Sequence, residues 1–334
     1  MTIHPLTTPQ SIKSITYTGL NQGTRLIVLG AVHGNETCGT QGIQRIMAEL
    51  DSGLLEIHSG QVTFIPITNP LAYQLVQRSG DRNLNRNLCP TDAPQDFEDH
   101  IANALCPLLA AHDVLLDLHS FHAAGGEPFI MLGPENNTRD LEPFALAAEE
   151  EALAVRLGPR RIVDGWLDTY ARGVHNRLNN PHISDRAQLL NTDPRYGVGT
   201  TEYMRAHGGY ALTLECGQHN DPQAPEIAYQ AIRNTLAHLQ LVDLPCPTVQ
   251  TQLEVLRIDE VIDKQHVADR FHKAWVSFDP LTKGDPIGIR EDGSDVQASR
   301  SGFILFPNPT ALPGNEWFYY AKRSERGIDG IVAS

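Results

Sequence analysis

Short apolar segments alternate with amphipathic ones through residues 25–241, and this alternation limits the possible folds more than any other feature of the chain. The apolar segments are rich in Val, Ile and Leu, as expected of strands that are covered on both faces. Strands and helices in alternation predict an α/β fold, with a largely parallel sheet flanked by helices. The predicted strands are residues 25–32, 61–68, 113–118, 128–132 and 209–215, and the predicted helices are residues 36–50, 95–112, 141–157 and 225–241.

The pattern changes after residue 242. The segment Asp243-Leu244-Pro245-Cys246-Pro247 is typical of a linker, and beyond it short apolar segments are separated by turn sequences such as Glu291-Asp292-Gly293. We therefore expect a catalytic domain over residues 1–244 and a small all-β domain over residues 248–334. Residues 164–198 are rich in Asn, Pro and Arg and have no clear period, which predicts a long loop in the wall of a binding site.

Composition excludes several classes of protein. The formal net charge of −14 argues against nucleic acid as a partner. The five cysteines are odd in number and include no C-x-x-C pair, which favours a reducing compartment over a disulfide framework. The N-terminus lacks the basic and apolar regions of a signal peptide, and no apolar run approaches the ~20 residues of a membrane span. We therefore expect a cytoplasmic protein with no membrane partner.

Two strand ends carry side chains that bind metals. His33 follows the strand at residues 25–32, Glu36 comes three residues later where a helix begins, and His119 follows the strand at residues 113–118. In such sheets, ligands bind at the carboxyl ends of the strands. Two imidazoles and one carboxylate with an open fourth position form the usual site of a catalytic zinc ion. The sequence therefore predicts one Zn²⁺ per chain, held by His33, Glu36 and His119.

Two acidic residues accompany this predicted metal site. Asp117 lies two residues before His119, so both side chains are on the same face of the strand. Asp117 either orients a ligand imidazole or caps a nearby backbone group, and the sequence leaves both roles open. Glu215 ends the strand at residues 209–215, where it can take a proton from water and return it to the leaving group. A solvent-facing Glu at the end of that strand is the alternative.

A basic loop supplies a third element. The segment Arg78-Ser79-Gly80-Asp81-Arg82-Asn83-Leu84-Asn85-Arg86-Asn87 holds three arginines and three asparagines in ten residues of an acidic protein. Because guanidinium groups bind carboxylates through paired hydrogen bonds, this loop is a candidate site for an anion. A solvated polar loop without a ligand is the alternative.

These motifs, taken in order, resemble the succinylglutamate desuccinylase/aspartoacylase family of the zinc carboxypeptidase-like superfamily. The resemblance extends over the whole chain and implies a zinc carboxypeptidase-like mixed sheet with a small C-terminal β-domain. The matching segments are His33-Gly34-Asn35-Glu36, Asn69-Pro70, Asn85-Arg86, Asp117-Leu118-His119, Leu214-Glu215 and Gly314-Asn315-Glu316-Trp317-Phe318-Tyr319.

The resemblance also implies roles for single residues. It implies the same three zinc ligands and Glu215 as the general acid/base. Arg78 occupies the place of an arginine that polarises the scissile carbonyl, and Asn85 and Arg86 match residues that bind a substrate carboxylate. Arg205 stands where aspartoacylases have a second substrate-binding arginine. Tyr319 stands where a tyrosine of the C-terminal domain extends into the aspartoacylase site.

The chain departs from close family members at a few positions. Arg82 and Asn83 occupy a segment in which aspartoacylases and desuccinylases tend to have acidic residues. His122 lies in a region where those enzymes differ among themselves. These departures leave the acyl group and the amino acid of the substrate open.

The expected reaction is hydrolysis of the amide bond of an N-acyl amino acid or a similar small carboxylate. A metallocarboxypeptidase that acts on short peptides is an alternative with the same chemistry and a wider pocket. A non-catalytic metal- or ligand-binding protein is a second alternative, although the complete set of ligands plus Glu215 argues against it. The expected partner is a small acyl-amino-acid substrate, and the oligomeric state is open, with a homo-oligomer among the alternatives.

Overall fold

One mixed sheet of eleven strands crosses the protein. The structure, a computed structural model, describes residues 7–123, 125–178 and 192–328. The strands are β1 (Ile15–Thr18), β2 (Asn21–Leu29), β3 (Ser59–Ile65), β4 (Val114–Phe121), β5 (Phe129–Met131), β6 (Arg161–Asp164), β7 (Tyr210–Gln218), β8 (Glu254–Asp263), β9 (Arg270–Phe271), β10 (Pro280–Leu281), β11 (Pro286–Ile289), β12 (Asp295–Gln297), β13 (Gly302–Leu305) and β14 (Glu316–Arg323). Their order in the large sheet is β1-β3-β2-β4-β7-β5-β6-β8-β14-β13-β10, and β12-β11-β9 form a small second sheet.

The four central strands β3, β2, β4 and β7 are mutually parallel. Parallel neighbours need crossover connections, and helices between the strands supply them. The helices are α1 (Cys38–Asp51), α2 (Pro70–Leu75), α3 (Phe97–Ala110), α4 (Ala147–Ala154), α5 (Trp166–Leu178), α6 (Thr200–Ala206) and α7 (Ala224–His238). The structure therefore confirms the predicted α/β class, a mixed sheet flanked by helices with additional strands at the C-terminal end.

Both faces of the central strands are buried by helices. Val28 of β2 belongs to a core with Ile46 of α1 and Ile232 of α7, whereas its neighbour Ile27 belongs to a second core with Leu105 of α3. Successive residues of a strand point to opposite faces, so a strand between two helical layers has no polar face. This burial explains why the central strands are continuous apolar runs in the sequence.

Four of the described strands beyond the predicted linker, β8, β14, β13 and β10, extend the same sheet. Strand β8 pairs in parallel with β6, and β14 pairs antiparallel with β8. Hydrogen bonding of the backbone is therefore continuous across the boundary expected near residue 244. This continuity places β14, which carries Glu316 and Tyr319, within reach of the central part of the fold.

The prediction of a loop over residues 164–198 is wrong for much of that segment. Helix α5 occupies residues 166–178, and a 3₁₀ turn spans Pro194–Gly197; residues 179–191 lie outside the described part of the chain. The helix was missed because its stability depends on distant partners. Arg177, for example, donates to the Asp263 carboxylate at 2.7 and 2.8 Å.

Within the part of the chain that the structure describes, no helix has both the length and the apolar content needed to cross a membrane.

Candidate metal centre and active site

A sharp turn after β2 presents His33 and Glu36 on the same side. Ala31 adopts φ +47°, an uncommon conformation for a residue with a side chain, and the backbone N–H of Glu36 then donates to the carbonyl of His33 at 3.1 Å. Gly34 packs so closely that a Cβ atom there would lie 2.0 Å from the carbonyl carbon of Ala72. The turn therefore needs glycine at position 34 to sit against helix α2.

His119 meets this pair because β4 is the neighbour of β2. The Glu36 carboxylate lies between the two imidazoles, with Oε1 2.9 Å from Nδ1 of His33 and Oε2 2.8 Å from Nδ1 of His119. One ligand atom from each of the three side chains lies within 4.8 Å of the others, and all three side chains are buried. His33, Glu36 and His119 therefore form a group that can hold a metal ion, the metal group.

The hydrogen bonds of Asn83 fix which nitrogen of His33 faces this group. Oδ1 of Asn83 accepts the backbone N–H of Asn85 at 3.0 Å, so this atom is the amide oxygen. The same oxygen lies 3.0 Å from Nε2 of His33. Nε2 must therefore carry the proton, and Nδ1 presents its lone pair to the metal group.

Asp117 contacts Nε2 of His119, as Asn83 contacts Nε2 of His33. Its Oδ2 atom lies 3.0 Å from Nε2 of His119 and also accepts the hydroxyl of Thr200. The carboxylate can only accept, so this contact favours a proton on Nε2 of His119, although it is not aligned as a hydrogen bond, and Nδ1 faces Glu36. Of the two roles left open by the sequence, the structure favours the orientation of an imidazole, that of His119.

The charge states of His33 and Glu36 fit a cation, whereas His119 is protonated: burial alone would lower its pKa, but Asp117 and Glu36 raise it well above its usual value. Burial, reinforced by Arg78, lowers the pKa of His33 to about 4, so this imidazole is neutral at pH 7. Its Nδ1 atom is buried and has no well-aligned hydrogen-bond partner among the described residues. Burial alone would raise the pKa of Glu36, but the two histidines hold it well below its usual range. A neutral imidazole and an ionised carboxylate are the forms in which these side chains bind metals.

Glu215 stands directly beside His119. The two residues are register partners on the neighbouring parallel strands β7 and β4. Burial, together with the nearby charge of Glu36, raises the pKa of Glu215 to about 8. Its Oε2 atom is buried and has no hydrogen-bond partner in the described chain. A carboxyl group with such a pKa can both accept and donate a proton near neutral pH.

The basic loop contributes three groups at the same place. Nη1 of Arg78 donates to Oε1 of Glu36 at 2.8 Å, while half of the side chain stays exposed. Oδ1 of Asn85 accepts the backbone N–H of Thr200 at 2.9 Å, at the start of α6, which leaves its amide nitrogen for a ligand. The guanidinium carbon of Arg86 lies 4.8 Å from the centre of the Trp166 ring.

The other two expected substrate-binding residues have different surroundings. Arg205 is buried, and its guanidinium donates to Glu150 and to Glu142, both at 2.8 Å. Tyr319 is also buried, and its ring lies 5.5 Å from that of Trp166. Burial raises the pKa of Tyr319 well above its usual value, so this hydroxyl stays protonated.

A cavity of about 740 Å³ brings these side chains together. Sequence reasoning missed several of its lining residues, including Trp166, Tyr196 and Glu316. Trp166 and Tyr196 lie in the segment that was expected to form part of the wall, but no local pattern distinguished them. The predicted residues that line the cavity are His33, Arg78, Asn85, Arg86, His119, Arg205, Glu215 and Tyr319.

Solved structures with this fold come from several bacteria. A succinylglutamate desuccinylase/aspartoacylase from Rhodobacter sphaeroides has a TM-score of 0.67 at 18% identity, over 94% of this chain and 90% of that chain. The ectoine utilization protein EutE (DoeB) from Ruegeria pomeroyi has a TM-score of 0.66 at 18% identity, over 92% and 88%. A succinylglutamate desuccinylase from Vibrio cholerae has a TM-score of 0.65 at 18% identity, over 90% and 82%. At these identities the likeness shows the fold alone.

Comparison by sequence gives the family. No curated protein matches the chain. The family model described as the succinylglutamate desuccinylase/aspartoacylase catalytic domain matches residues 22–242. This match covers more than half of the chain, which therefore belongs to the succinylglutamate desuccinylase/aspartoacylase family.

Proposed function

We propose that this protein is a zinc-dependent amidohydrolase that cleaves the amide bond of an N-acyl amino acid or a similar small carboxylate. The observation that carries the proposal is the position of Glu215 beside His119, at a group of His33, Glu36 and His119 that can hold a metal. A proton acceptor next to an open metal site is the arrangement that metal-dependent hydrolysis requires. Membership of a family of deacylases supports the same reaction.

His33 and His119, through their Nδ1 atoms, and Glu36, through its carboxylate, would hold the metal ion. When bound there, zinc supplies an acidified water molecule and polarises the carbonyl group of the substrate. Asn83 and Asp117 keep the two imidazoles in the tautomer that points Nδ1 at the ion. His33, which is neutral, needs no rearrangement of its proton before it binds.

Glu215 acts as the general base and then as the general acid. It accepts the proton of the attacking water while the bond to the carbonyl carbon forms, and it returns this proton to the departing amine nitrogen. A pKa raised to about 8 suits the second step, because the protonated form is accessible near neutral pH.

Three groups of the basic loop act on the substrate. Arg78, half exposed at the edge of the metal group, donates to the oxygen on which negative charge develops. Arg86 and the amide nitrogen of Asn85 bind the carboxylate of the amino acid. Among the described residues, Asn85 O is the one acceptor of the Arg86 guanidinium, so its remaining N–H groups are available for this carboxylate. Tyr319 adds a hydroxyl from strand β14 to the same cavity.

The test combines metal analysis with a substrate panel. Elemental analysis of the purified protein is expected to give one zinc ion per chain, and N-acyl amino acids are expected to be hydrolysed unless a chelator is present. Added zinc should restore the activity, and His119→Ala should abolish both metal binding and turnover. A protein that holds no metal and binds its ligands equally well with chelator would be a binding protein. Faster cleavage of dipeptides than of N-acyl amino acids would identify a carboxypeptidase.

The cytoplasmic location and any homo-oligomer remain predictions from the sequence.

A further inference from the structure

Arg205 lines the cavity, but carboxylates of the protein already use its guanidinium. Nε and Nη2 donate to Glu150 at 2.8 and 3.1 Å, Nη2 also donates to the Ala211 carbonyl at 2.6 Å, and Nη1 donates to Glu142 at 2.8 Å. The carboxylate of Glu202 lies 3.6 Å from Nη1. A guanidinium has five N–H groups; four of these donate to the protein, and the nitrogen that carries the fifth lies near the Glu202 carboxylate.

The surroundings of Arg205 also repel an anion. Three acidic side chains, those of Glu142, Glu150 and Glu202, surround the single positive charge. A second carboxylate on the substrate would meet acidic groups here instead of a free cation. Arg82, another arginine of the cavity wall, is likewise held by Asp96 at 3.0 Å and Asp99 at 2.8 Å.

Aromatic side chains lie beside the guanidinium of Arg86. The guanidinium carbon of Arg86 lies 4.8 Å from the ring centre of Trp166 and 5.7 Å from that of Tyr170. The ring of Tyr319 in turn lies 5.5 Å from Trp166 and 6.0 Å from Phe306. In an amino acid the side chain leaves the carbon next to the carboxylate. A carboxylate bound by Arg86 therefore leaves the amino-acid side chain within reach of this aromatic wall.

One acidic residue stands at the same wall. Glu316 lines the cavity, and its Oε1 atom lies 4.0 Å from Nη2 of Arg177. Burial alone would raise the pKa of Glu316, but Arg86 and Arg177 lower it, so the group is ionised. A negative charge beside the side chain of the bound amino acid disfavours a second carboxylate at that position.

Resting on the proposed function, we infer that the amino-acid half of the substrate has one carboxylate and an uncharged, apolar side chain. Arg86 binds the carboxylate, and Trp166, Tyr319 and Phe306 contact the side chain. The charge of Glu316 and the engaged guanidinium of Arg205 exclude acyl derivatives of aspartate and glutamate. The substrate class therefore differs from the acidic amino acids that a second binding arginine would select.

Competition between matched substrates tests this inference. The zinc-loaded enzyme is assayed with the N-acetyl derivatives of leucine, methionine and phenylalanine, of aspartate and glutamate, and of lysine. We expect kcat/KM to be at least about tenfold higher for the apolar set. A substrate whose charge would be buried without a partner is rejected more strongly than one that only loses apolar contacts. Equal or faster turnover of the acidic derivatives, or of the lysine derivative, overturns the inference but leaves the proposed amidohydrolase intact.

Two variants test the residues named. In Glu316→Gln, which keeps the shape and removes the charge, the ratio of kcat/KM for acidic to apolar substrates should rise at least fivefold, by the loss of repulsion. In Trp166→Ala, KM for the apolar substrates should rise about tenfold with little change in kcat, because an apolar contact is lost in ground and transition states alike. Glu56→Gln, at an exposed acid with no role in the cavity, is the matched control.

Binding separates failure of the inference from failure of the proposed function. Glu215→Gln should bind N-acetylleucine at least tenfold more tightly than N-acetylaspartate by calorimetry, whether or not the parent enzyme turns either over. Tighter binding of N-acetylaspartate contradicts the inference. If no amide is hydrolysed but this order of affinity is found, the site recognises the proposed class and only the catalytic proposal fails.

Discussion

Asn83 holds His33 through a neutral acceptor, its Oδ1 atom lying 3.0 Å from Nε2 of the imidazole. The second imidazole of the metal group faces a charged acceptor, with Asp117 Oδ2 3.0 Å from Nε2 of His119. A carboxylate makes the imidazole a stronger electron donor than an amide does. The two imidazoles are therefore unequal, and His33 would be the weaker donor to a bound metal.

Replacing Asn83 should change the affinity for zinc. In Asn83→Asp, a charged acceptor increases the basicity of His33, and we expect zinc to bind about tenfold more tightly; in Asn83→Leu, the loss of the acceptor should weaken binding by about 10- to 100-fold. Competition with a chromophoric chelator measures both changes. Asn220→Asp, at an exposed position, controls for added charge. Equal affinities in all four proteins would show that Asn83 does not tune His33.

The group of His33, Glu36 and His119 could be predicted because short sequence motifs at the ends of strands indicate it. His33 and Glu36 lie within one turn after a strand, and His119 lies near the end of an apolar strand, so the order of strands brings them together. The bonds that decide the role of Arg205 are not local. Its partners Glu150 and Glu142 lie 55 and 63 residues away in sequence, and no pattern around Arg205 indicates them.

In the fold, too, elements with a local sequence pattern could be predicted, and elements that depend on distant contacts could not. The strands of the parallel centre are continuous apolar runs and were predicted with errors of a few residues. Strand β6, by contrast, has only four residues, and helix α5 packs on β8 through polar contacts such as the hydroxyl of Thr169 with the carbonyl of Ile258 at 2.7 Å. Short strands and tertiary hydrogen bonds leave no periodic signal, so the wall that contains Trp166 required the structure.

Glu215→Gln tests the proposed acid/base. The amide keeps the size of the side chain but cannot accept the proton, so we expect kcat to fall by about 10²–10⁴-fold. Zinc content should stay at the level of the parent protein, because Glu215 is outside the group of His33, Glu36 and His119. Steady-state kinetics and elemental analysis give the two numbers. Near-normal turnover would remove Glu215 from the mechanism.

Arg78→Ala separates two roles of this arginine. If its guanidinium stabilises the oxygen of the reacting carbonyl, kcat should fall about 10²–10³-fold while zinc affinity is retained. If its hydrogen bond to Glu36 at 2.8 Å is what matters, zinc affinity should fall instead. We expect the first result, because half of the side chain is exposed at the cavity. Arg78→Lys, which keeps the charge but loses the planar fork, should recover only part of the rate.

The contribution of Glu142, one of the acidic residues around Arg205, to the stability of the fold depends on pH. Burial raises the pKa of Glu142 from 4.5 to about 7, and the attraction of Arg205 offsets this only in part. Between pH 4.5 and about pH 7, Glu142 keeps its proton in the folded protein but has lost it in the unfolded chain. The contribution of this group to stability is therefore fully present below pH 4.5, declines as pH rises, and is lost above pH 7.

Glu142→Gln should remove this decline. The amide still accepts from Arg205 but does not titrate, so the fall in unfolding free energy between pH 4.5 and pH 8 should be smaller than in the parent by about 2–3 kcal/mol. Urea unfolding of the metal-free protein at several pH values measures the difference. Glu149→Gln, at an exposed residue of helix α4, should keep the slope of the parent. If Glu142→Gln also kept that slope, the carboxyl of Glu142 would be ionised throughout, and the charge around Arg205 would be more negative than this arrangement implies.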